Sequence, residues 1–245
     1  MPRKRFGQHF LVEQEVIDRI HRVIAIRESD VVLEIGPGRG ALTAGLFNST
    51  KKLSAVEIDR DLAADLRARF PAACFIQDDV LNISNESFRN KRIVGNLPYN
   101  ISTSLLLRLV SLNDFIDMHL MLQKEVVDRM TAQPCTKRWG RLSVKVQRCW
   151  EIFRHFDVEA SAFKPQPKVT SSFVRIVPLR DPVFVRDEYI FDNVLKSAFG
   201  QRRKKLANSL QQFDIEWEEL GISQSKRADQ LGVEDYVAIS NSVVQ

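Results

Sequence analysis

Asn96-Leu97-Pro98-Tyr99 closes the strand-like run Arg92 to Asn96, so it stands at the exit of an expected strand. An Asn side-chain oxygen and the carbonyl of Leu97 can together accept both N–H bonds of an amino group. That favours a pyramidal nitrogen with its lone pair aimed at an electrophile. Such help matters for the exocyclic amine of adenine, whose lone pair is otherwise delocalised into the ring. Pro98 stiffens the turn, and Tyr99 offers a ring on which a base can stack. Positioning and electrostatics would then supply most of the acceleration, with no strong base required. The plain alternative is a strand-exit turn with no chemistry.

A second set of residues suits a small-molecule site. Glu34-x-Gly36-x-Gly38-x-Gly40 falls where a first strand should turn into a helix, and glycine there lets backbone approach a ligand closely. The spacing is not that of a dinucleotide fingerprint, and no lysine in the loop suggests a triphosphate. Glu57 lies 21 residues after Gly36, where an acid can accept from both ribose hydroxyls. Asp78-Asp79 closes the next strand, where a carboxylate can accept from an adenine amino group. The alternatives are a tight turn and exposed strand-end acids. Taken in order, the three strand ends describe a nucleoside-binding crevice.

These positions require alternating strands and helices. Val16, Ile17, Ile20, Val23 and Ile24 form one stripe of an amphipathic helix over residues 12–25. Strands are expected at 31–35, 53–57, 73–77, 92–96 and 116–123, with a charged helix from Asp59 to Arg69. The pattern predicts an α/β fold with a mostly parallel sheet and helices on both faces. Glu151 to Val158 and Ser171 to Leu179 predict a late antiparallel pair at the sheet edge. Beyond Pro182, residues 188–212 and 226–243 read as helices. The expected division is a catalytic α/β domain over 1–182 and a small all-helical domain over 183–245.

The 245 residues are 44% hydrophobic and 27% charged, which fits a folded globular chain. No run nears the roughly 18 apolar residues of a membrane span. Met1-Pro2-Arg3-Lys4-Arg5 is basic but is followed by no apolar core or small-residue cleavage site, so a cytoplasmic protein is expected. Cys74, Cys135 and Cys149 are too scattered for a disulfide framework or zinc site and read as reduced interior residues. No metal is expected, since the four histidines lack ligand spacing. Net charge is +5, with 28 Lys+Arg against 21 Asp+Glu before residue 183 and 8 against 10 after it. A basic balance is compatible with nucleic acid without requiring it.

Together these motifs resemble the ribosomal RNA adenine N6-dimethyltransferases. The resemblance spans nearly the whole chain, from Phe6-Gly7-Gln8-His9-Phe10-Leu11 through the glycine loop and Asn96-Leu97-Pro98-Tyr99 to Phe163-x-Pro165-x-Pro167-Lys168-Val169-x-Ser171. It implies a Rossmann-like methyltransferase that uses S-adenosyl-L-methionine. It also implies that His9 and Leu11 touch the methionine end of that cofactor. Gly36 would pass its carboxylate or ribose, Glu57 would hold the ribose, and Asp79 (alternatively Asp78) would meet the adenine. Asn96 would serve both cofactor and substrate, and Tyr99 and Phe163 would sandwich the target base. His9 departs from the pattern, where many members carry Asn.

The segment Ala198 to Leu210, with Gln201-Arg202-Arg203-Lys204-Lys205, and Arg227-Ala228-Asp229-Gln230-Leu231 resemble the branch that dimethylates two adjacent adenines near the 3′ end of small-subunit rRNA. The implied partner is that rRNA in a partly assembled 30S particle. The sequence shows no membrane span and no obvious DNA-recognition domain, so neither partner is expected, and with nothing that demands a dimer a monomer is expected. The other branch modifies large-subunit rRNA in macrolide resistance. Two further readings are an RNA-binding assembly factor with dispensable catalysis and a DNA adenine methyltransferase. Arg202 to Lys205 form one candidate phosphate-binding cluster. Arg138, Arg141, Lys145 and Arg148, at spacings of three and four, form a possible helical stripe, and Arg3-Lys4-Arg5 a third site.

Overall fold

A short, mostly apolar run suits a strand covered on both faces, and Val32-Leu33-Glu34-Ile35, all four buried, forms such a strand just before the glycine loop. The computed structural model describes residues 8–110, 112 and 114–243. The chain divides into two compact units, the first holding residues up to 127 together with 151–178 and the second holding 128–150 together with residues from 179 onward.

The first unit begins with β1 (Phe10–Leu11) and α1 (Gln14–Ile24). There follow β2 (Val32–Ile35), α2 (Thr43–Ser49), β3 (Leu53–Val56), α3 (Arg60–Arg69), β4 (Cys74–Ile76), β5 (Arg92–Asn96), α4 (Tyr99–Val110) and β6 (Asp117–Gln123). β7 (Trp150–Val158), β8 (Phe163–Lys164) and β9 (Ser171–Pro178) complete its strands. Seven of these form one sheet in the order β4-β3-β2-β5-β6-β9-β7. β4, β3, β2, β5 and β6 are parallel throughout, and β9 runs antiparallel to β6. β7 lies outermost beside β9, at the edge expected for the late strand pair. β1 and β8 form a separate antiparallel pair, Phe10 opposite Lys164 and Leu11 opposite Phe163.

Ile17, Ile20 and Ile24 of α1 are buried, and they share a core with Leu46, Val94, Met121 and Phe173. Parallel strands end on one edge, so the residues following β2, β3, β4 and β5 gather there. Charge collects at the opposite edge. Arg92, first in β5, donates to both carboxylate oxygens of Asp117, first in β6, at 2.9 and 3.1 Å. It also donates to Asp30 and to the carbonyl of Ile24, each at 2.9 Å. Arg175 donates a third bond to Asp117 at 3.1 Å, and Asp117 is buried.

α5 (Lys124–Met130) contains the boundary after residue 127, and the second unit goes on through α6 (Arg141–Gln147), with α7 (Glu188–Gly200), α8 (Leu206–Ser209), α9 (Trp217–Leu220) and α10 (Val233–Ser242) later in the chain. Trp139, Val144, Phe191, Leu195, Leu206 and Tyr236 are at its core. The expected helix over 188–212 stops at Gly200. Lys205 instead forms an antiparallel bridge with Arg227, and Leu206 N–H donates to Lys226 O at 2.8 Å. The same pairing delays the second helix, expected from 226, to Val233.

Residues 128–150, expected with the α/β part, group with the helical unit because Trp139 and Val144 pack into its core. The basic stripe does not form. Arg138 lies before α6, Lys145 pairs with Asp192 at 2.5 Å, and buried Arg148 pairs with Glu188 at 2.5 Å. Cys149 is buried, but Cys74 and Cys135 are exposed and not interior as expected. Cys74 starts the outermost parallel strand, and Cys135 sits in a loop at φ 67°. Among the described residues, no helix is long and apolar enough to cross a membrane.

Asp117→Ala removes the buried carboxylate shared by the largely buried Arg92 and the exposed Arg175. We expect a loss of about 3–5 kcal/mol, read from the urea unfolding midpoint. An unchanged midpoint would show that the cluster adds nothing to stability.

Candidate active site

After β2 the chain turns through Gly36, Gly38 and Gly40 at φ +65°, +58° and +83°. At Gly38 a Cβ would lie 3.0 Å from the Phe10 ring, in addition to the left-handed backbone strain. The tight turn presents the Gly38 N–H to Glu57 Oε2 at 3.0 Å. Asp59 N–H donates to Glu57 Oε1 at 2.9 Å. Burial pushes the Glu57 carboxyl up in pKa, and these backbone donors oppose that shift. The acid is therefore fixed in orientation by the loop that it faces.

Glu34, in β2, is buried and accepts from Thr43 Oγ1 at 2.7 Å. Burial first, with a further contribution from Glu57, pushes its carboxyl up to about 8; the Thr43 bond opposes this. Two buried acids therefore share one cavity.

That cavity encloses about 290 Å³. His9, Leu11, Gly36, Glu57, Asp79, Asn96, Leu97, Pro98 and Tyr99 all line it. So does Asp78, and the geometry does not choose between the two aspartates. Asp78 Oδ1 accepts from Asp79 N–H at 2.7 Å, and Asp79 Oδ1 accepts from Leu81 N–H at 2.9 Å.

Phe163 is the exception. It is 1% exposed and does not line the cavity, because its pairing with Leu11 turns it into the core of the sheet unit. The expected sandwich of Tyr99 and Phe163 is therefore not formed in this structure. Glu34, which opens the glycine motif, also lines the cavity, as do Phe10, Arg39, Ile58 and Val80, to which the sequence reading gave no contact. The signal for Ile58 was a large apolar residue between two acids, and it remains 42% exposed.

Asn96 ends β5, next to Gly95. A Cβ on Gly95 would come within 2.8 Å of the Ile35 carbonyl oxygen, so glycine lets the two strands close up. Asn96 Nδ2 donates to the carbonyl of His9 at 2.9 Å. The amide is thereby oriented, with Oδ1 as its remaining acceptor. Pro98 O accepts from the N–H groups of Ile101 and Ser102, which starts α4 directly behind the motif. Tyr99 Oη and Ser171 Oγ lie 2.7 Å apart. Burial raises the Tyr99 pKa, against the Ser171 bond, so the phenol is neutral at physiological pH. The His9 ring packs against the Tyr99 ring, centroids 5.5 Å apart and planes at 31°, and its Nδ1 bonds to Pro165 O at 2.7 Å. Phe6 and Gly7 of the N-terminal motif, like Arg3-Lys4-Arg5, lie outside the described residues.

The raised Glu34 carboxyl has a consequence for stability. Between its unfolded value near 4.5 and its folded value of about 8, the folded protein holds the proton more tightly. The corresponding stabilisation is present below pH 4.5 and is lost as pH rises toward 8. Glu34→Gln keeps an acceptor for Thr43 without an ionisable group. The variant is expected to show a flatter fall of unfolding free energy over that range, measured by denaturant titration at several pH values. Parallel curves for variant and parent would rule the effect out.

Known proteins carry the same framework. A family model described as ribosomal RNA adenine dimethylase matches residues 2–245. The chain is 43% identical to ribosomal RNA small subunit methyltransferase A of Bordetella avium, over 99% of this chain and 95% of that one. It is 44% identical to the protein of that name from Acinetobacter baylyi, over 99% and 92%. The crystal structure of a dimethyladenosine transferase from Plasmodium falciparum superposes with a TM-score of 0.81 at 25% identity, covering 94% of this chain and 96% of that one. The 23S rRNA methyltransferase ErmE, at 22% identity and a TM-score of 0.72 over 96% and 100%, shares the fold. A parallel sheet with glycine loop, strand-end acids and Asn-Leu-Pro-Tyr on one edge is the Rossmann-like methyltransferase arrangement, and the chain belongs to the ribosomal RNA adenine dimethylase family.

Proposed function

We propose that this chain transfers methyl groups from S-adenosyl-L-methionine to N6 of two adjacent adenines near the 3′ end of 16S rRNA, giving N6,N6-dimethyladenosines in a partly assembled 30S particle. The observation that carries the chemistry is the Asn96 amide, held by the His9 carbonyl at the rim of a cavity that also contains Glu57. The choice of small-subunit RNA follows the name shared by relatives at about 43% identity.

The residues present suit the cofactor. Glu57 is a fixed ribose acceptor, Gly36 and Gly38 give close backbone approach, and Ile58 and Val80 offer apolar surface beside Asp78 and Asp79. A cationic ligand beside Glu34 and Glu57 would in turn favour their ionised forms, which burial alone disfavours. When bound, the cofactor supplies an electrophilic methyl group on a sulfonium sulfur. His9 and Leu11 lie where the methionine end would be held.

Asn96 Oδ1 and the Leu97 carbonyl accept the two N–H bonds of the target amine and turn its lone pair toward the methyl group. Tyr99 stacks on the base and holds it in the cavity. The base must leave its stack to reach them, at a cost of a few kcal/mol that is smaller in a loop than in a duplex. The amine nitrogen forms its N–CH3 bond as the S–CH3 bond breaks and the thioether leaves, and the cationic nitrogen gives up a proton to solvent. One N–H then remains, enough for one acceptor to orient the amine for the second transfer.

The helical unit supplies a surface for RNA. Arg203, Lys204 and Lys205 are exposed, and the bridge to Arg227 brings exposed Lys226 and Arg227 alongside. Arg202 is committed within that unit, donating to the carbonyls of Thr136 and Lys137 at 2.8 Å. With ribosomal RNA as substrate, the activity belongs in the cytoplasm, where subunits are assembled, and the protein acts as a monomer.

Tritiated S-adenosyl-L-methionine offered with undermethylated small subunits, large subunits or duplex DNA tests the assignment. N6,N6-dimethyladenosine should appear in small-subunit RNA alone, and Asn96→Ala should lower kcat by on the order of 10²–10³. Label in large-subunit RNA would place the chain in the macrolide-resistance branch, and label in DNA would overturn RNA as substrate.

Alanine at Arg203, Lys204 and Lys205 together should weaken binding to small subunits. The slope of log affinity against log salt should fall by about one for each phosphate that is no longer neutralised. Filter binding at several salt concentrations measures this; an unchanged slope would locate the RNA-binding surface elsewhere.

A further inference from the structure

Two residues of the 163–171 segment do not line the cavity, yet each holds a residue that does. Pro165 O accepts from His9 Nδ1 at 2.7 Å, and Ser171 Oγ bonds to Tyr99 Oη at 2.7 Å. Ser171 is fully buried at the start of β9, paired in register with Gln123 of β6. Its hydroxyl is thus anchored by a sheet ladder. Tyr99 has no such anchor of its own, standing at the first turn of α4. The terminal torsion of a tyrosine side chain is broad, and a bond at the phenol oxygen restricts it. The His9 ring meets the same aromatic ring at a centroid distance of 5.5 Å.

We propose that Ser171 is a positioning residue for methyl transfer, fixing through its hydroxyl the plane of the Tyr99 ring against which the target adenine stacks. The role rests on the adenine methylation assigned above. A stacked base follows the tilt of its platform, and its amine must reach Asn96 Oδ1 and the Leu97 carbonyl together. A misplacement of about 1 Å at a reacting centre can cost on the order of 10²-fold in rate. The neutral state of the Tyr99 phenol keeps the bond intact through the physiological pH range. Pro165 acts in parallel on His9, whose carbonyl orients Asn96. The segment therefore braces both the stacking and the hydrogen-bonding sides of the site from behind.

The test compares Ser171→Ala, Tyr99→Phe and the double variant on undermethylated small subunits, with cofactor affinity measured by calorimetry. Each single change removes the same bond and leaves a ring to stack on. Each should lower kcat between about three- and tenfold, the worth of one hydrogen bond. KM should be unchanged, since a particle is held by many groups outside the cavity, and cofactor Kd should stay within about twofold. The double variant should match the singles, because both remove one interaction. A purely structural serine would lower the unfolding midpoint without that kcat pattern or non-additivity. Wild-type kcat in Ser171→Ala, or losses that multiply in the double variant, would overturn the role. Should Ser171→Ala fail to fold, Tyr99→Phe decides alone, and an unchanged kcat there would overturn it. A wild-type protein that transfers no methyl group would overturn the reaction assignment and this role with it. An active wild type beside an unaffected Ser171→Ala overturns the role only.

Discussion

A Cβ at residue 95 would lie only 2.8 Å from the carbonyl oxygen of Ile35, so β2 and β5 can run this close only with a hydrogen at that position. Much of the site follows from that approach. Gly36 comes beside Asn96, with its Cβ position 3.9 Å from the Asn96 carbonyl, and its own N–H continues the ladder to Val56. Three strand ends are thereby drawn to one rim, and Gly38, one turn later, reaches Glu57. A bulkier residue at 95 would separate the glycine loop from the Asn-Leu-Pro-Tyr turn, although neither motif had itself been changed.

Carboxylates gather at the two edges of this sheet. At one edge Asp117 is surrounded by guanidinium groups that neutralise it. At the other, Glu34 and Glu57 sit buried together without a basic partner of that kind, and burial raises both pKa values. Uncompensated buried acids are costly in a free-standing protein, and such groups gather where a ligand completes the electrostatics. The one edge is neutralised by guanidinium groups, whereas at the other Glu34 is neutralised by its own proton at pH 7.

The parts of the site legible in the sequence were those whose meaning is local. A glycine loop after an apolar run, an acid at the end of the next strand and Asn-Leu-Pro-Tyr at the end of a later one need only the parallel order of strands to meet. Phe163 was not legible in this way. Whether an aromatic ring faces a cavity or a core depends on a pairing with Leu11 more than 150 residues away. The basic stripe lost two of its four charges for a similar reason, since Lys145 and Arg148 meet Asp192 and Glu188 on a helix distant in sequence. The break after Gly200 came from backbone pairing with residues 226–227, which no helical periodicity records. His9 was assigned a cofactor contact by resemblance, but its ties to Pro165, Asn96 and Tyr99 emerged only in three dimensions.

The chain visits its two units alternately, crossing out after residue 127, back at 151 and out again at 179. During synthesis, β6 must wait for residues 171–178 before its second ladder can form. Trp139, buried and bonded to Leu231 O at 3.0 Å, waits longer still for the segments that enclose it. Neither unit can therefore finish folding while the ribosome still holds much of the other, and such non-local closure is slow. The same weave rules out simple dissection. A stop after residue 178 would yield a chain with every catalytic motif present, yet with Trp139, Val144 and their neighbours stripped of cover and open to aggregation.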